Sequence, residues 1–203
     1  MKDEEFKKAI DFYRTLIEKE ISDEKIVDGR LLGPRKLRKE DPVDLKDIIH
    51  PERPFFDKNV ADDLDPLYVT TFRVGNLKKP LSMGKTGYGT DIIAGMEVGT
   101  KLVENGFIKS FDDIAAFLFK YKMGILDVFN EEEIENGKML DLRIYECIEC
   151  SELPNVGEPI CYFETGIIIG ILKELTHKEV LAEEKRCWAS GYSFCQYDVV
   201  IRD

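Results

Sequence analysis

The chain has 203 residues, 43% apolar and 34% charged, with a formal net charge of -11 and a pI near 4.8. That length supports one sizeable core with room for an N-terminal extension. The acidic balance argues against nucleic acid or an acidic membrane as partner, because both are gripped by clustered Lys and Arg.

Phe6, Ile10, Tyr13 and Ile17 recur at helical spacing with charges between them, which predicts an amphipathic helix over 3–20. The same charges break up the apolar stretch that a secretion signal needs, and nowhere do eighteen apolar residues run together. A cytoplasmic protein that does not enter a membrane is expected. From Ile21 to Pro66, Gly29, Gly33, Pro34, Pro42, Pro51 and Pro54 interrupt every period, so this stretch reads as an irregular arm with a short helix at most. Residues 1–66 are therefore expected to form an N-terminal helix and arm, a candidate dimerisation segment, ahead of a main domain over 67–203. The densest basic run, "GPRKLRKED", lies in the arm and is expected to be a solvated loop.

"LYVTTFRVG", residues 67–75, is rich in β-branched and aromatic residues and predicts a strand. "TDIIAGMEVGTKLVENG" predicts a helix from about Thr90 to Gly106, with Ala94, Gly95 and Gly99 making one side small enough for close helix packing. The preceding "MGKTGYGTD" is not a phosphate loop, since Lys79 stands where its first glycine is required. Nor does Gly87-Tyr88-Gly89 continue to a third glycine, because position 92 is Ile92. A second helix begins at "SFDD", where Ser110 and Asp113 cap reciprocally and Ile114, Phe117, Leu118, Tyr121 and Ile125 keep the helical period.

Asn136-Gly137 marks a turn, after which Leu140, Leu142, Ile144 and Ile148 alternate with Asp141, Arg143 and Tyr145 and predict a half-buried strand over 138–149. "CYFETGIIIGILKEL" predicts a helix with Gly166 and Gly170 one turn apart. Lys178 to Arg186 and Phe194 to Arg202 predict two closing strands joined through Ser190-Gly191, with Cys195, Tyr197, Val199 and Ile201 on one face. The order of elements predicts an α+β fold in which a mainly antiparallel sheet packs against helices.

Five is an odd number of cysteines, and in a reducing compartment thiols or metal thiolates are the leading reading. Abundant Lys, Glu and Ile with a single glutamine, Gln196, give a thermophile-like bias, under which intracellular disulfides do occur. His50 and His177 are the only histidines, both expected at the surface, so no histidine-based triad and no catalytic set is expected. Neither a dinucleotide fingerprint nor a flavin motif is present, which leaves a reductase's accessory subunit as the enzyme-related alternative.

Cys187 and Cys195 stand at the two ends of one hairpin loop, an arrangement that presents two sulfurs to a borderline-soft cation. Cys161 opens a helix, where the dipole lowers a thiol pKa. Glu184 precedes Cys187 by three residues, which on a straight strand puts the two on opposite faces. Either the strand bulges at Lys185-Arg186 or Glu183 is the better-placed carboxylate.

The segment "CYFETGIIIGILKELTHKEVLAEEKRCWASGYSFCQYDV" resembles the C-terminal signature of the 4-vinyl reductase domain family: a cysteine leading a Gly-spaced helix, a strand with Glu-x-x-Cys, a glycine turn, a further cysteine and a closing strand. The resemblance covers Cys161 to the end, and 84 to 148 in outline. It implies a homodimeric sensor of a small hydrophobic molecule, built on a fold shared with signalling proteins and Golgi vesicle-tethering subunits. It also implies a structural zinc ion, since the matching positions bind zinc in phenol-responsive bacterial activators; carried over, the ligands are Cys161, Glu184, Cys187 and Cys195. Those activators have DNA-binding and ATPase segments with no counterpart in this sequence, so no direct nucleic-acid binding is expected.

Cys147 and Cys150 form an additional C-x-x-C pair on or just past a strand. Similar domains in methanogen regulators are associated with redox sensing, which makes the pair a candidate thiol switch. Inert buried thiols, and metal ligands replacing Glu184, are the other two readings. A ligand pocket is expected among the helices at 90–129 and the helix after Cys161, closed by the sheet. Tyr88, Phe117, Tyr121 and Trp188 are its candidate lining, or else plain core.

Overall fold

The computed structural model describes residues 3–38, 43, 45–49, 52–57, 64–76 and 85–203. The chain opens with α1 (Asp3–Ser22), a small hairpin of β1 (Lys25–Val27) and β2 (Arg30–Leu32), and the short helices α2 (Leu45–Ile48) and α3 (Pro54–Asp57). Three helices follow, α4 (Leu64–Asn76), α5 (Lys85–Glu104) and α6 (Phe111–Lys120). Then come β3 (Ile125–Ile134), β4 (Gly137–Tyr145), α7 (Tyr162–Thr176), β5 (Glu179–Arg186) and β6 (Cys195–Arg202). The four long strands form one antiparallel sheet in the order β3-β4-β6-β5. The α+β expectation holds, and no helix among the described residues is long and apolar enough to cross a membrane.

One face of the sheet presents Leu126, Leu140, Leu142, Ile144, Tyr197, Val199 and Ile201 to α6 and α7, and together they form the main apolar core. Each such side chain, fully removed from water, contributes about 1.5–3 kcal/mol. α7 is buried along most of its length because α5 covers its far side. The two helices meet backbone to backbone through the predicted glycines: a Cβ at Gly95 would stand 2.1 Å from the Phe163 carbonyl oxygen, and one at Gly170 would stand 2.2 Å from that of Met96. Ala94 faces outward and takes no part.

The opposite face is covered by α1. Ala9, Tyr13 and Ile17 pack with Ile125, Tyr145, Tyr192 and Phe194, and Phe6 and Ile10 border them, as the helical period predicts. Tyr13 stacks on Tyr145 at 4.8 Å and donates to Glu146 Oε1 at 2.7 Å. Arg14 grips Asp127 with two bonds of 2.8 and 2.6 Å, and the Tyr145 hydroxyl donates to the same carboxylate at 2.7 Å.

Five expectations need correction. The strand expected over 138–149 ends at Tyr145, because Glu146 turns left-handed (φ 50°) and leads Cys147 and Ile148 into a loop. Residues 67–75 are helical, not a strand. Val69 and Arg73, one helical turn apart, are both fully buried, and burying that pair outweighs the strand preference of "YVTTF". The helix expected to run through Ile125 stops at Lys120; Lys122 turns left-handed (φ 54°) and Ile125 begins β3. The arm contains a hairpin at Asp28-Gly29, both residues with positive φ, which is the turn that an Asp-Gly pair favours. The basic run is not simply solvated: Arg35 donates to the carbonyls of Leu153 and Trp188, and Arg38 pairs with Asp47. Elsewhere Ser110 and Asp113 form the expected reciprocal cap, Asn136-Gly137 joins β3 to β4, and His177 is exposed at the end of α7. His50 and the first two residues of "MGKTGYGTD" lie outside the described residues.

Candidate metal centre

All five cysteines are buried and reduced, and they meet at one end of the sheet. Cys161 is the residue before α7, Cys187 follows β5, Cys195 opens β6, and Cys147 and Cys150 lie in the loop after β4. The Cys161 Sγ stands 3.6 Å from that of Cys187 and 3.8 Å from that of Cys195. These are the spacings of sulfurs sharing one tetrahedral ion, since ligands about 2.3 Å from a centre stand about 3.8 Å apart.

Glu184 joins them. The register of β5 against β6 shifts between Glu184 and Arg186, and this bulge turns Glu184 to the side of Cys187 despite their odd separation. One carboxylate oxygen accepts the Cys161 backbone N–H at 2.8 Å, while the buried Oε1 has no hydrogen-bond partner among the described residues. Glu183, the alternative, faces solvent and pairs with Lys185. Cys161, Glu184, Cys187 and Cys195 thus offer four donor atoms within 4.8 Å of one another. Three sulfurs, one oxygen and an orphaned buried carboxylate oxygen fit a metal ion at this position.

Cys147 and Cys150 belong to the same cluster, and with Cys161 and Cys195 they form a second group within 4.8 Å. Cys147 Sγ lies 3.9 Å from Cys161 Sγ, and Cys150 Sγ lies 3.1 Å from Cys195 Sγ. Their loop is pinned by Arg73 of α4, whose guanidinium donates to the carbonyls of Ile148 (2.7 Å) and Ser151 (2.8 Å). Sequence reasoning missed Arg73 because it stood inside a predicted strand. It also missed two buried carboxylates: Glu164 accepts from Cys147 at 3.0 Å and from the Tyr197 hydroxyl at 3.0 Å, and Glu149 Oε2 receives the Glu164 N–H at 3.4 Å. The signal for both was an acid within three residues of a cysteine.

Burial pushes Glu184, Glu164 and Glu149 well above the usual carboxylate range, and the neighbouring Cys187 or Cys147 thiols push them further. Burial also raises the Cys161 thiol, so the expected lowering by the helix dipole is overcome by desolvation. Cys147 and Cys187 move the other way: burial is outweighed by hydrogen bonds received from the other sulfurs, and both fall well below the ordinary thiol range. Such a concentration of acids and thiols is unfavourable in a core unless protons or a cation neutralise it.

The four candidate pocket aromatics sit in three places. Tyr88 stacks on Tyr162 at 4.0 Å, Phe117 pairs with Tyr121 at 4.5 Å, and Trp188 lies 4.7 Å beneath the Arg35 guanidinium. The expected space between α6, α7 and the sheet is an apolar gap of about 10 Å³ lined by Phe111, Ile114, Leu118, Leu126 and Ile168, among others. A larger cleft of about 600 Å³ opens beside the metal-ligand cluster, bordered by Arg30, Tyr88, Ile92, Glu158, Tyr162 and Glu184. There the Tyr88 hydroxyl donates to Glu158 at 3.0 Å; burial and that carboxylate push its pKa up to about 12.

The 4-vinyl reductase domain model matches residues 140–201, a span that holds all five cysteines and Glu184. Two uncharacterised proteins of Methanocaldococcus jannaschii are similar in sequence. One, MJ0150, is 31% identical over 82% of this chain and 92% of its own length. The other, MJ1642, is 36% identical over 52% of this chain, and the match spans 62% of that protein. Among solved structures, the phenol-responsive sensory domain of the transcription activator PoxR, with phenol, has a similar fold (TM-score 0.54, 10% identity, 93% of this chain and 89% of that one). So does a trafficking protein particle complex subunit 3 from Naegleria fowleri covalently bound to palmitic acid (TM-score 0.50, 17% identity, 68% and 95%).

Proposed function

The chain belongs to the 4-vinyl reductase domain family, and from this and the site geometry we infer that it is a small-molecule-binding regulatory domain with a structural zinc ion. The ion is held by Cys161, Glu184, Cys187 and Cys195. The observation that carries this reading is the convergence of those four donors, from three separate elements, within 4.8 Å of one another. Zinc suits a closed set of three thiolates and a carboxylate, and with no open position its role is to tie the β5–β6 hairpin to the start of α7. Elemental analysis of the freshly purified chain should find stoichiometric zinc. A chain without any stoichiometric metal would end this reading.

The ligand is a small hydrophobic molecule with a polar group, seated in the cleft at Tyr88 and Tyr162. Support comes from the cleft's volume of about 600 Å³, its stacked rings and the Arg30–Glu158 pair at 3.1 Å. The phenol carried by the similarly folded sensory domain is a molecule of this kind. Glu184 borders both the cleft and the metal cluster, so occupancy of one would be felt by the other. Mass spectrometry under native and denaturing conditions should reveal a co-purifying small molecule, lost from the Tyr88→Ala variant. Retention of the same molecule by that variant would move the site elsewhere. The reading includes a homodimer formed through the N-terminal segment, where α1 leaves Phe12 and Leu16 exposed. Light scattering tests the dimer, and a monomer at micromolar concentration removes it.

A thiol switch is the second reading, favoured by the 3.1 Å contact between Cys150 and Cys195 rather than by a Cys147–Cys150 pair. Mild oxidants should then remove two titratable thiols. An unchanged thiol count at cellular potentials removes the switch.

A further inference from the structure

Five sulfurs and three carboxylates, those of Glu149, Glu164 and Glu184, meet in this cluster, yet one tetrahedral ion uses four donors. Two tetrahedral ions sharing two ligands use six. Of the three close groups, the two with four donors, Cys161-Glu184-Cys187-Cys195 and Cys147-Cys150-Cys161-Cys195, share Cys161 and Cys195 and no other residue; the third, Glu149-Cys161-Glu164, has only one sulfur. Building on the zinc reading above, we propose that the centre is binuclear, with a second dication held by Cys147, Cys150, Cys161 and Cys195, the last two bridging both ions.

Sulfur spacing supports this. The shared pair stands 3.8 Å apart and Cys147 lies 3.9 Å from Cys161, the separation of sulfurs on one tetrahedral ion, whereas Cys150 and Cys195 stand 3.1 Å apart and must open by about 0.7 Å to share one. The added sulfurs come from a C-x-x-C turn, a spacing that lets one loop supply two thiolates to one ion. That turn is braced from behind: the Ile148 N–H reaches the Met123 carbonyl at 2.8 Å, and Arg73 binds the carbonyls of Ile148 and Ser151.

Charge also permits the second ion. The first ion with three thiolates and one carboxylate carries two negative charges. A further dication with two further thiolates adds none, the two thiol protons being released to solvent. The two charges already present face Arg35 and Arg73, whose electrostatic neighbours include Cys150 with Cys187 and Cys150 with Cys147 respectively. Arg73 is fully buried, and its Nη1 has no hydrogen-bond partner among the described residues. The compensation needed for one ion therefore serves for two.

Cobalt(II) titration of the metal-free chain under anaerobic, reducing conditions tests the proposal. Thiolate-to-cobalt absorption should grow to two equivalents per chain, and the paramagnetic resonance signal should rise over the first and fall over the second as bridged ions couple. The Cys147→Ser/Cys150→Ser double variant should saturate at one equivalent, with a signal that does not fall. Saturation of the unaltered chain at one equivalent removes the second ion; if the double variant still binds that ion, the four-ligand zinc reading survives. One equivalent that the double variant loses, or no stoichiometric cobalt at all, overturns both readings. Two equivalents without loss of signal would remove the bridge. The titration of the unaltered chain decides the count even if the variant does not fold.

Discussion

The glycine seam between α5 and α7 and the cysteine cluster at the head of α7 share one helix but are held by different forces. At the seam, apolar side chains and bare backbone surfaces fit against each other, and burial alone is favourable. In the cluster, five sulfurs and three carboxylates are taken out of water with few cations to meet them, so burial alone is unfavourable. One region of the molecule is stable on its own terms. The other, on the reading proposed above, is stable only when protons or a metal ion neutralise it.

Removing metal should therefore have the largest effect. Chelation at elevated temperature should cost several kcal/mol, a fall in Tm of more than about 10 °C for a chain of this length. Calorimetry with and without chelator measures it, and an unchanged Tm would place the cluster in the same class as the seam. Gly170→Val comes next, because its side chain must enter the space of the Met96 backbone; a loss of about 3 kcal/mol is expected. That loss should be equal in chelated and loaded protein, and a dependence on metal would mean that the two regions are one cooperative unit.

The α1 face sharpens the contrast, since it buries charge yet supplies the counter-charge itself. Asp127→Asn should cost about 1–3 kcal/mol by weakening the grip of Arg14 and Tyr145. Denaturant midpoints should show this with or without metal. The smallest effect concerns pH. Glu24 accepts from Arg186 at 3.0 and 3.1 Å and from Tyr192 at 2.9 Å; burial opposes its charge, but those bonds bring its pKa below the ordinary value of 4.5. Its folded pKa being the lower one, its contribution is complete above about pH 4.5 and is lost as pH falls through the folded value. Glu24→Gln should cost about 1 kcal/mol at neutral pH and flatten the acid limb of the stability curve.

Legibility in the sequence followed the range of the interactions. Four signals lie within about ten residues and were read correctly: the Tyr162–Thr176 helix, the closing strands, the Ser110–Asp113 cap and the facing of Cys195. The Asp28-Gly29 turn was equally local and was overlooked. β3 was hidden because Asn130 to Ile134 extends past the core and carries exposed Glu131, Glu132 and Glu133, so no alternation marks it. Residues 67–75 misled because β-branched composition is a weak preference beside the burial of Val69 and Arg73.

By itself the sequence determined the secondary-structure periods at the C-terminal end, the small-residue helix faces and the cysteine and acid spacings, because each depends on neighbours a few positions apart. The tertiary structure decided which carboxylate reaches the sulfurs, through a bulge that exists only when β5 pairs with β6. It also decided that Cys147 and Cys150 lie with Cys161 and Cys195, since sulfurs up to 48 positions apart in the chain (147 to 195) become neighbours only once the sheet and α7 have closed around them.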